Sequence, residues 1–420
     1  MKKRIVVLGA GFAGLWSAVG AARKAAELGM EGDVDITVVN RTPYHNIRVR
    51  NYESDLSEVC VPLDSVLGPV GVSLRLGDVT AIDAAAGRVT VRPGDGGRTL
   101  DLAYDRLVLA LGSELVRPPI PGLSAHGFDV DTYDAAIRLD RHIKQLGSRP
   151  PAPGRFTAVI VGAGLTGIEV ATEMPARLHA ARPAGAADEP VKVILADRLP
   201  HVGSDMGPNA RPVIEDALRQ LGIATRLDVT VAAIDASGLV LSSGERIDAA
   251  TVVWCGGMRA SPLTAALPAE RDAVGRLLVD AHLRVRGLPD VFAAGDVARV
   301  MVEDGHPSMM SCQHGRTMGR YAGHNVAADL LGDVPIPVDF PGYVTCLDLG
   351  PQGALFTRGW DRQVAMTGAT AKATKRMINC ELVPPPRSAR AEDILAAAAP
   401  VAPRPAAVAG GGARPATDPA

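Results

Sequence analysis

The chain has 420 residues, of which 47% are hydrophobic and 21% charged, and its formal net charge is −2. This composition is typical of a soluble globular protein with room for two or three domains. The near-neutral charge gives no electrostatic reason to expect binding to nucleic acid, and 4% aromatic residues offer few stacking platforms for bases. Because no run of 18 apolar residues occurs, we expect no membrane span.

The five cysteines are too scattered for a local metal or redox motif. Without a C-x-x-C pair, neither a zinc ribbon nor a redox disulfide of local spacing is expected, and no metal site is predicted. The odd, unpaired count indicates a reducing compartment, so we expect a cytoplasmic protein with at most peripheral membrane contact. The basic residues from Met1 to Arg4 and the apolar run after them resemble a signal peptide. Because that run leads directly into a glycine turn, we expect a β-strand there instead.

The first part of the chain predicts a βαβ unit. A strand at 4–8, a helix at about 12–28 and a strand at 35–40 follow one another, in the order expected of a parallel sheet. Residues 77–92 alternate apolar and polar side chains, which predicts antiparallel strands, and 107–112 reads as a buried strand.

A second βαβ unit follows a linker rich in proline and glycine at 147–155. Its helix is predicted at about 165–178 and its second strand at 191–196. Strand-like runs at 225–234 and 251–255 extend the same unit.

The last third of the chain predicts a long helix and a small β module. Ser311 is available as the N-cap of a helix at 313–331, and 335–367 contains short strands separated by turn residues. From Pro384 onward the chain is mostly Ala, Pro and Gly, so 384–420 is predicted to be disordered.

Two copies of one phosphate-binding fingerprint, about 150 residues apart, carry most of the functional information. Each is a short apolar strand that runs into G-x-G-x-x-G and then into a helix; the glycines are Gly9, Gly11 and Gly14 in the first copy and Gly162, Gly164 and Gly167 in the second. The first glycine allows a tight turn, the second lets a pyrophosphate approach, and the third permits close helix–strand packing. Two such copies indicate two bound dinucleotides.

The paired fingerprints, with Leu109-Ala-Leu-Gly112 and Phe292-Ala-Ala-Gly-Asp296, resemble the two-dinucleotide flavoprotein superfamily of pyridine-nucleotide oxidoreductases. The resemblance covers about residues 1–383. It implies an α/β fold with two Rossmann-like domains, the NADH domain being inserted into the FAD domain, plus a small C-terminal β-rich module. The implied ranges are 1–125 with 285–335 for FAD, 126–284 for NAD(P)H and 336–383 for the module.

One branch of this superfamily fits best. Arg41-Thr-Pro-Tyr-His45 and the Glu169 that follows the second fingerprint resemble type II NADH dehydrogenases. For FAD the resemblance implies contacts from Gly9, Gly11, Gly14, Asn40, Arg41, His45, Gly112 and Asp296. Asn40 stands where a ribose-binding acid is usual, and His45 reads more readily as a packing residue of the flavin loop than as a base.

For the nicotinamide dinucleotide, Asp197 is the informative residue because it ends the strand after the second fingerprint. A carboxylate there accepts the ribose hydroxyls and repels a 2′-phosphate, which favours NADH. Arg198 beside it could hold a 2′-phosphate, so NADPH stays open. Gly257, after the strand at 251–255, either approaches the nicotinamide or simply forms a turn.

Glu169, Gln313 and His314 are the candidate catalytic residues. Glu169 is read either as a first-turn charge favoured by the helix dipole or, by resemblance, as a residue at the nicotinamide–flavin contact. The resemblance aims the helix that begins near Gln313 at the flavin, where its dipole would stabilise negative charge. The family carries a second Gln four residues later, where this chain has Thr317, and the family's C-terminal amphipathic membrane helices are not evident.

We therefore expect an FAD-dependent NADH oxidoreductase that passes hydride to flavin N5 and then electrons to a quinone or quinone-like acceptor. One alternative is a soluble reductase for a protein carrier such as ferredoxin, with Lys372, Lys375 and Arg376 as a thin basic patch. Another is a slow redox-sensing flavoprotein, similar to relatives of apoptosis-inducing factor. Cys312 and Cys346 keep a third alternative open, a sulfide-oxidising enzyme that resembles sulfide:quinone oxidoreductases. We also expect a homodimer.

Overall fold

A computed structural model describes residues 2–303 and 305–400. Five parallel strands form the first sheet, which has the amino-terminal strand at its centre; in spatial order they are β20 (Val291–Ala293), β9 (Arg106–Leu109), β1 (Lys3–Leu8), β2 (Val34–Asn40) and β5 (Ser73–Leu76). In register, Leu8 lies opposite Val39 on one side and Leu109 on the other. The carboxyl ends of these strands therefore meet at one edge, where a ligand site is expected.

A second parallel sheet lies within the segment between β9 and β20. Its strands, in spatial order, are β13 (Ala224–Arg226), β12 (Lys192–Ala196), β11 (Thr157–Val161) and β17 (Thr251–Trp254). Because the chain returns to the first sheet at β20, the second α/β unit is inserted into the first. The inserted architecture expected from the sequence is confirmed, while the domain boundaries at 125/126, 284/285 and 335/336 stay predictions.

Three antiparallel sheets of three strands each decorate these units: β6 (Asp78–Asp83), β7 (Arg88–Arg92) and β8 (Leu100–Ala103); β14 (Val231–Asp235), β15 (Gly238–Leu241) and β16 (Arg246–Asp248); and β24 (Val344–Asp348), β25 (Ala354–Arg358) and β26 (Gln363–Thr367). Four two-stranded ladders complete the description: β3 (Tyr44–Asn46) with β4 (Cys60–Pro62), β10 (Ser113–Leu115) with β18 (Met258–Ala260), β19 (Leu277–Leu278) with β21 (Ala298–Arg299), and β22 (Met301–Glu303) with β23 (His306–Pro307).

The helices of the described residues are α1 (Phe12–Glu27), α2 (Asp64–Leu67), α3 (Leu123–His126), α4 (Tyr133–Gln145), α5 (Leu165–Ala181), α6 (Gly207–Gln220), α7 (Cys312–Leu331), α8 (Gly368–Met377) and α9 (Ala391–Ala397). The Ser311 side chain accepts a hydrogen bond from the His314 N–H, so the predicted N-cap of α7 is confirmed. Among residues 2–303 and 305–400, none of the helices combines the length and the apolar composition that a membrane span needs.

Helices α1 and α7 pack face to face because glycines remove the side chains between them. A Cβ on Gly319 would lie 2.3 Å from the Ala13 carbonyl oxygen, and one on Gly323 would lie 2.2 Å from that of Ser17. This close packing fixes the amino-terminal ends of both helices relative to the first sheet.

The prediction of disorder from Pro384 is wrong for residues 384–400. They continue the fold, and α9 packs onto the core of the first unit with Ile394 and Ala398 fully buried. Ile394 on α9 and Ala398 directly after the helix are enough here because the core supplies the rest of the contact surface. Residues 401–420 lie outside the described part of the chain.

Candidate active site

The three glycines of the first turn have different surroundings: two are packed against the protein backbone, and one faces open space. Gly9 has φ +93°, and a Cβ there would lie 2.5 Å from the Ala110 carbonyl oxygen; a Cβ on Gly14 would lie 1.9 Å from the Gly9 oxygen. At Gly11, by contrast, no described atom lies within 4 Å of such a Cβ. The protein itself therefore requires the first and third glycines, whereas the second leaves open space in which a pyrophosphate fits.

The second turn repeats this geometry. Gly162 has φ +112° and would place a Cβ 2.8 Å from the Cys255 oxygen, while a Cβ on Gly167 would lie 1.7 Å from the Gly162 oxygen. Gly164 would meet only the far end of the Asp205 side chain, at 3.2 Å. Helices α1 and α5 begin directly after these turns, so free N–H groups and a partial positive charge face both spaces. The residues present thus fit two dinucleotides.

Asn40 and Asp197 occupy equivalent places at the ends of β2 and β12. The Asn40 Oδ1 accepts a hydrogen bond of 3.0 Å from the Ala10 N–H, and the Asp197 Oδ2 accepts one from the Ala163 N–H. Each side chain therefore braces the glycine turn of its own unit. Asp197 adds a negative charge that Asn40 lacks, and the neighbouring Arg198 is exposed.

The predicted flavin-loop residues His45 and Arg41 have different surroundings. His45 is fully buried, its Nδ1–H donates to the Ala10 carbonyl oxygen at 2.8 Å, and its ring meets Phe12 edge-on at 5.3 Å. Burial lowers the pKa of His45 to about 4, so the ring is neutral at physiological pH. Its contacts fit the packing role. Arg41 points outward and pairs with Asp78 at 2.8 Å.

Asp296 lies in the short turn at Gly295–Val297 that follows β20, where it joins a polar group that the sequence did not reveal. Its Oδ2 accepts a hydrogen bond of 2.6 Å from the Ser113 hydroxyl, which also accepts one of 3.0 Å from Arg48. The Arg48 guanidinium donates to the Asp131 carbonyl oxygen at 3.0 Å as well. Arg48 thus ties together three segments that are distant in sequence, and only its position soon after the Arg41–His45 motif could have marked it.

Gly112 and Gly257 follow the ends of β9 and β17. Their φ angles are +68° and +84°, and no described atom lies within 4 Å of a Cβ built on either residue. Both positions therefore require glycine for backbone conformation and leave open space beside the chain. Their predicted contacts with the dinucleotides stay predictions.

Glu169 belongs to a buried ionic cluster rather than to the first turn of its helix. It is the fifth residue of α5, and its Oε1 accepts a 2.6 Å bond from the Lys375 Nζ and a 3.1 Å bond from the Asp348 N–H. Lys375 also donates to the Cys346 carbonyl oxygen at 3.0 Å. The pair joins the inserted unit to the C-terminal module, and sequence spacing could not reveal it because the partners are 206 residues apart.

Neighbouring groups complete this cluster. The Tyr52 hydroxyl donates to the Asp348 Oδ2 at 3.1 Å, and the Lys372 Nζ donates to the other carboxylate oxygen at 2.6 Å. Burial raises the pKa of Glu169, and the Lys375 ammonium offsets part of that rise. Burial opposes the charge of Lys375, yet the attraction of Glu169 raises its pKa overall. The two groups thus form a buried, hydrogen-bonded ion pair in which the Lys375 ammonium carries the proton.

The basic patch considered for a protein partner does not form. Lys375 is buried against Glu169, and Lys372 is engaged by Asp348, which leaves Arg376 as the exposed member. The structure thus removes the feature that favoured a ferredoxin-type partner, because paired cations offer little field to an acidic surface.

Cys312 and Cys346 are free thiols held in their protonated form. Burial raises the pKa of Cys346 to about 12, and burial also raises that of Cys312. Because the thiolate is the reactive form of cysteine, these surroundings do not favour cysteine-based sulfide chemistry.

Gln313 and His314 start helix α7 but face different partners. The Gln313 Nε2 donates to the Gly342 carbonyl oxygen at 3.2 Å, which ties the helix to the C-terminal module. His314 is fully buried, its Nδ1 accepts from the Met309 N–H at 2.7 Å, and its pKa is lowered by burial to about 4. Because the ring is neutral and fully buried, these contacts give no support to a catalytic His314.

Comparison with known proteins agrees with this geometry. Residues 3–319 match the model of the family described as pyridine nucleotide-disulphide oxidoreductase. An NADH dehydrogenase-like protein of Mycobacterium tuberculosis is 55% identical, over 96% of this chain and 100% of its own length. The demethylphylloquinone reductase of Synechocystis is 29% identical, over 90% of this chain and 91% of its own.

The fold is also that of a solved structure. NDH2 from Plasmodium falciparum, determined in complex with NADH, superimposes with a TM-score of 0.75 at 12% identity and covers 94% of this chain and 97% of that one. The resemblance inferred from the paired fingerprints is confirmed. The chain belongs to the pyridine nucleotide-disulphide oxidoreductase family and is an NADH dehydrogenase-like oxidoreductase with FAD and NADH as cofactors.

Proposed function

We propose that this oxidoreductase passes the electrons of NADH to a quinone or quinone-like small molecule. The observation that carries the proposal is the buried Glu169–Lys375 pair. Reduction of a quinone to a quinol consumes two protons together with two electrons, whereas an iron–sulfur carrier takes up electrons alone. A buried ammonium group hydrogen-bonded to a carboxylate, where both α/β units meet the C-terminal module, can supply a proton and therefore suits the first kind of acceptor.

The named relatives support the same acceptor class. One is a demethylphylloquinone reductase, and another, from Mycobacterium tuberculosis, is a type II NADH:quinone oxidoreductase that is 31% identical over 70% of this chain and 66% of its own length. The loss of the basic patch at Lys372 and Lys375 weakens the case for a protein carrier.

Bound FAD supplies hydride acceptance from NADH and onward electron transfer, and the protein supplies position and electrostatics. The open faces of Gly11 and Gly164 receive the two pyrophosphates at the amino-terminal ends of α1 and α5. Asp197 binds the NADH ribose while it braces its glycine turn, and Asp296, held by Ser113, orients the flavin nucleotide.

The amino-terminal end of α7 provides electrostatic stabilisation. The Ser311 cap and the tie from Gln313 to Gly342 hold the first turn of the helix in a fixed direction. A fixed helix dipole stabilises negative charge that develops near its N–H groups without reorganising during the reaction.

The proposal is tested by anaerobic stopped-flow measurement of flavin absorbance in the FAD-loaded protein. We expect NADH to reduce the flavin rapidly and menadione to reoxidise it rapidly. In Glu169→Gln, reoxidation by menadione should slow by about tenfold or more, because an amide cannot accept a proton from Lys375 and pass it on. Reoxidation by ferricyanide, which takes electrons without protons, should keep its rate.

Glu173→Gln is the matched control, since Glu173 lies one turn farther along α5 and, among the described residues, forms an ion pair with Lys372 alone, at 3.9 Å. It should reoxidise with menadione as the wild type does. Rapid reduction by NADH followed by reoxidation that only a protein carrier accelerates would contradict the quinone proposal. Equal slowing of menadione and ferricyanide in Glu169→Gln would contradict a role of the pair in proton supply.

A further inference from the structure

A cavity lies beside α1, α7 and the segment that follows α8. Its volume is about 770 Å³, and its described lining includes Trp16, Arg316 and Arg320 on one side and Pro384, Pro385 and Arg387 on the other. The fingerprint glycines are not among the residues that line it. The cavity is therefore separate from the two dinucleotide turns.

Two arginines in this cavity carry positive charge that no carboxylate of the described residues balances. The Arg316 and Arg320 guanidiniums lie 5.4 and 5.2 Å from the centre of the Trp16 ring. The Nε of each is buried without a hydrogen-bond partner, and neither guanidinium forms an ion pair within residues 2–303 and 305–400. Arg320 is only 6% exposed. Buried charges are ordinarily paired, so this arrangement is unusual.

The pKa values of Arg316 and Arg320 are both lowered, as is expected where no negative charge lies nearby. Burial and the neighbouring Arg320 lower the pKa of Arg316 to about 10, and burial alone lowers that of Arg320. No described carboxylate counteracts either effect. Both arginines remain charged at neutral pH, so an anion placed between them would be strongly favoured.

The other charged groups of the cavity do not supply that anion. Glu381 is exposed and makes no ion pair with another described residue. Arg387 is itself engaged by Glu58 at 3.1 Å. The remaining lining is mostly proline, alanine and leucine, namely Leu382, Pro384, Pro385, Pro386, Ala396 and Ala399. An apolar wall thus faces an unbalanced cationic pair.

We propose that this cavity binds the electron acceptor and that the acceptor carries an anionic group, such as a carboxylate, sulfonate or phosphate, on an apolar ring system. The ring packs against the proline-rich wall, and the acidic group is bound by Arg316 and Arg320. Arg316 lies four residues into α7 from Cys312, about 6 Å along the helix axis, so the cavity adjoins the helix end proposed to face the flavin. This inference rests on the proposed function and deepens it by naming the acceptor class.

The test compares two probes that share one ring system and differ in charge, 9,10-anthraquinone-2-sulfonate and 9,10-anthraquinone-2-sulfonamide. Their dissociation constants are measured by equilibrium dialysis against the oxidised, FAD-loaded protein. We expect the sulfonate to bind at least about tenfold more tightly, because bonds between ionised partners are stronger than neutral ones. Arg316→Gln with Arg320→Gln should remove this preference and leave the affinity for the sulfonamide nearly unchanged.

Two further variants separate charge from structure. Arg316→Lys with Arg320→Lys retains both charges and should keep part of the preference. Arg211→Gln removes a guanidinium that also has a buried, unpartnered Nε but lies outside the cavity, so it should keep the whole preference. Stopped-flow reoxidation by the two probes should follow the same order.

Equal binding of sulfonate and sulfonamide to the wild type would overturn the inference. It would also be overturned if millimolar inorganic phosphate bound as tightly as the sulfonate, since the cavity would then serve a free anion or a phosphate headgroup. Loss of FAD from the glutamine variants but not from the lysine variants would show that the arginines serve the flavin nucleotide instead. Reduction by NADH and reoxidation by neutral menadione decide the proposed function separately.

Discussion

The difference between Asn40 and Asp197 shows how a single atom distinguishes two otherwise equivalent sites. Both side chains accept a hydrogen bond from the residue that follows the first glycine of their turn. An amide oxygen serves this bracing role as well as a carboxylate oxygen does. The negative charge of Asp197 is therefore not needed for the turn and is available to select the nucleotide.

We predict that Asp197→Asn relaxes the preference for NADH over NADPH while the protein still folds. The amide keeps the hydrogen bond to Ala163, as Asn40 does at Ala10, but no longer repels a 2′-phosphate. The ratio of kcat/KM for the two cofactors should fall by about tenfold, or about 1.4 kcal/mol. Asp216→Asn, which removes a half-buried carboxylate of the same unit, should keep the wild-type ratio. An unchanged ratio in Asp197→Asn would contradict the selector role.

Among the elements, the pair of helices α1 and α7 has a mechanical role in the site. Their glycine-lined contact leaves no room for a side chain, so the capped end of α7 cannot shift relative to the turn at Gly9–Gly14. The same rigidity places Arg316 and Arg320 over Trp16. A change in this contact should therefore affect stability first and the site as a consequence.

We predict that Gly323→Ala lowers the free energy of unfolding by about 2–3 kcal/mol or prevents folding, because its Cβ would lie 2.2 Å from the Ser17 carbonyl oxygen. Chemical denaturation followed by circular dichroism measures the change. Gly32→Ala is the control, since no described atom lies within 4 Å of that Cβ and the residue is exposed. Equal stability of the two variants would mean that α1 and α7 separate more easily than their packing indicates.

At the scale of the whole molecule, buried neutral histidines make stability depend on pH. Burial lowers the pKa values of His45, His142 and His314 to about 4 in the folded protein. In the unfolded chain a histidine has a pKa of about 6.5. Below that pH the unfolded state binds more protons than the folded state, so stability is full above about pH 6.5 and is lost as the pH falls toward 4.

We predict that the melting temperature falls between pH 7 and pH 5, with each histidine contributing up to about 1.4 kcal/mol per pH unit. His142→Gln should reduce the slope of stability against pH. Glutamine does not titrate, so the unfolded state then binds one proton fewer relative to the folded state. Exposed His201→Gln should leave the slope unchanged. Thermal denaturation across this range provides the measurement, and equal slopes in wild type and His142→Gln would contradict the prediction.

The features that the sequence determined by itself are those governed by local backbone geometry. The turns at Gly9 and Gly162 need glycine because of positive φ angles and adjacent backbone, so strand, turn and helix could be predicted together. The Ser311 cap and the bounds of α7 follow from the same kind of short-range hydrogen bonding. From these elements followed the fold, the two dinucleotides and the family.

Tertiary structure alone decided which distant residues meet. Glu169 and Lys375, 206 residues apart, form the pair on which the acceptor proposal rests. Ile394 is buried because it packs against a core formed by residues far away in the sequence. Composition alone therefore led to a wrong prediction of disorder at 384–400. That Arg316 and Arg320 lack a counter-charge among the described residues is evident only from the folded structure, which shows what surrounds each guanidinium. Pairing and burial depend on the whole chain, because desolvation of a charge is set by everything packed around it.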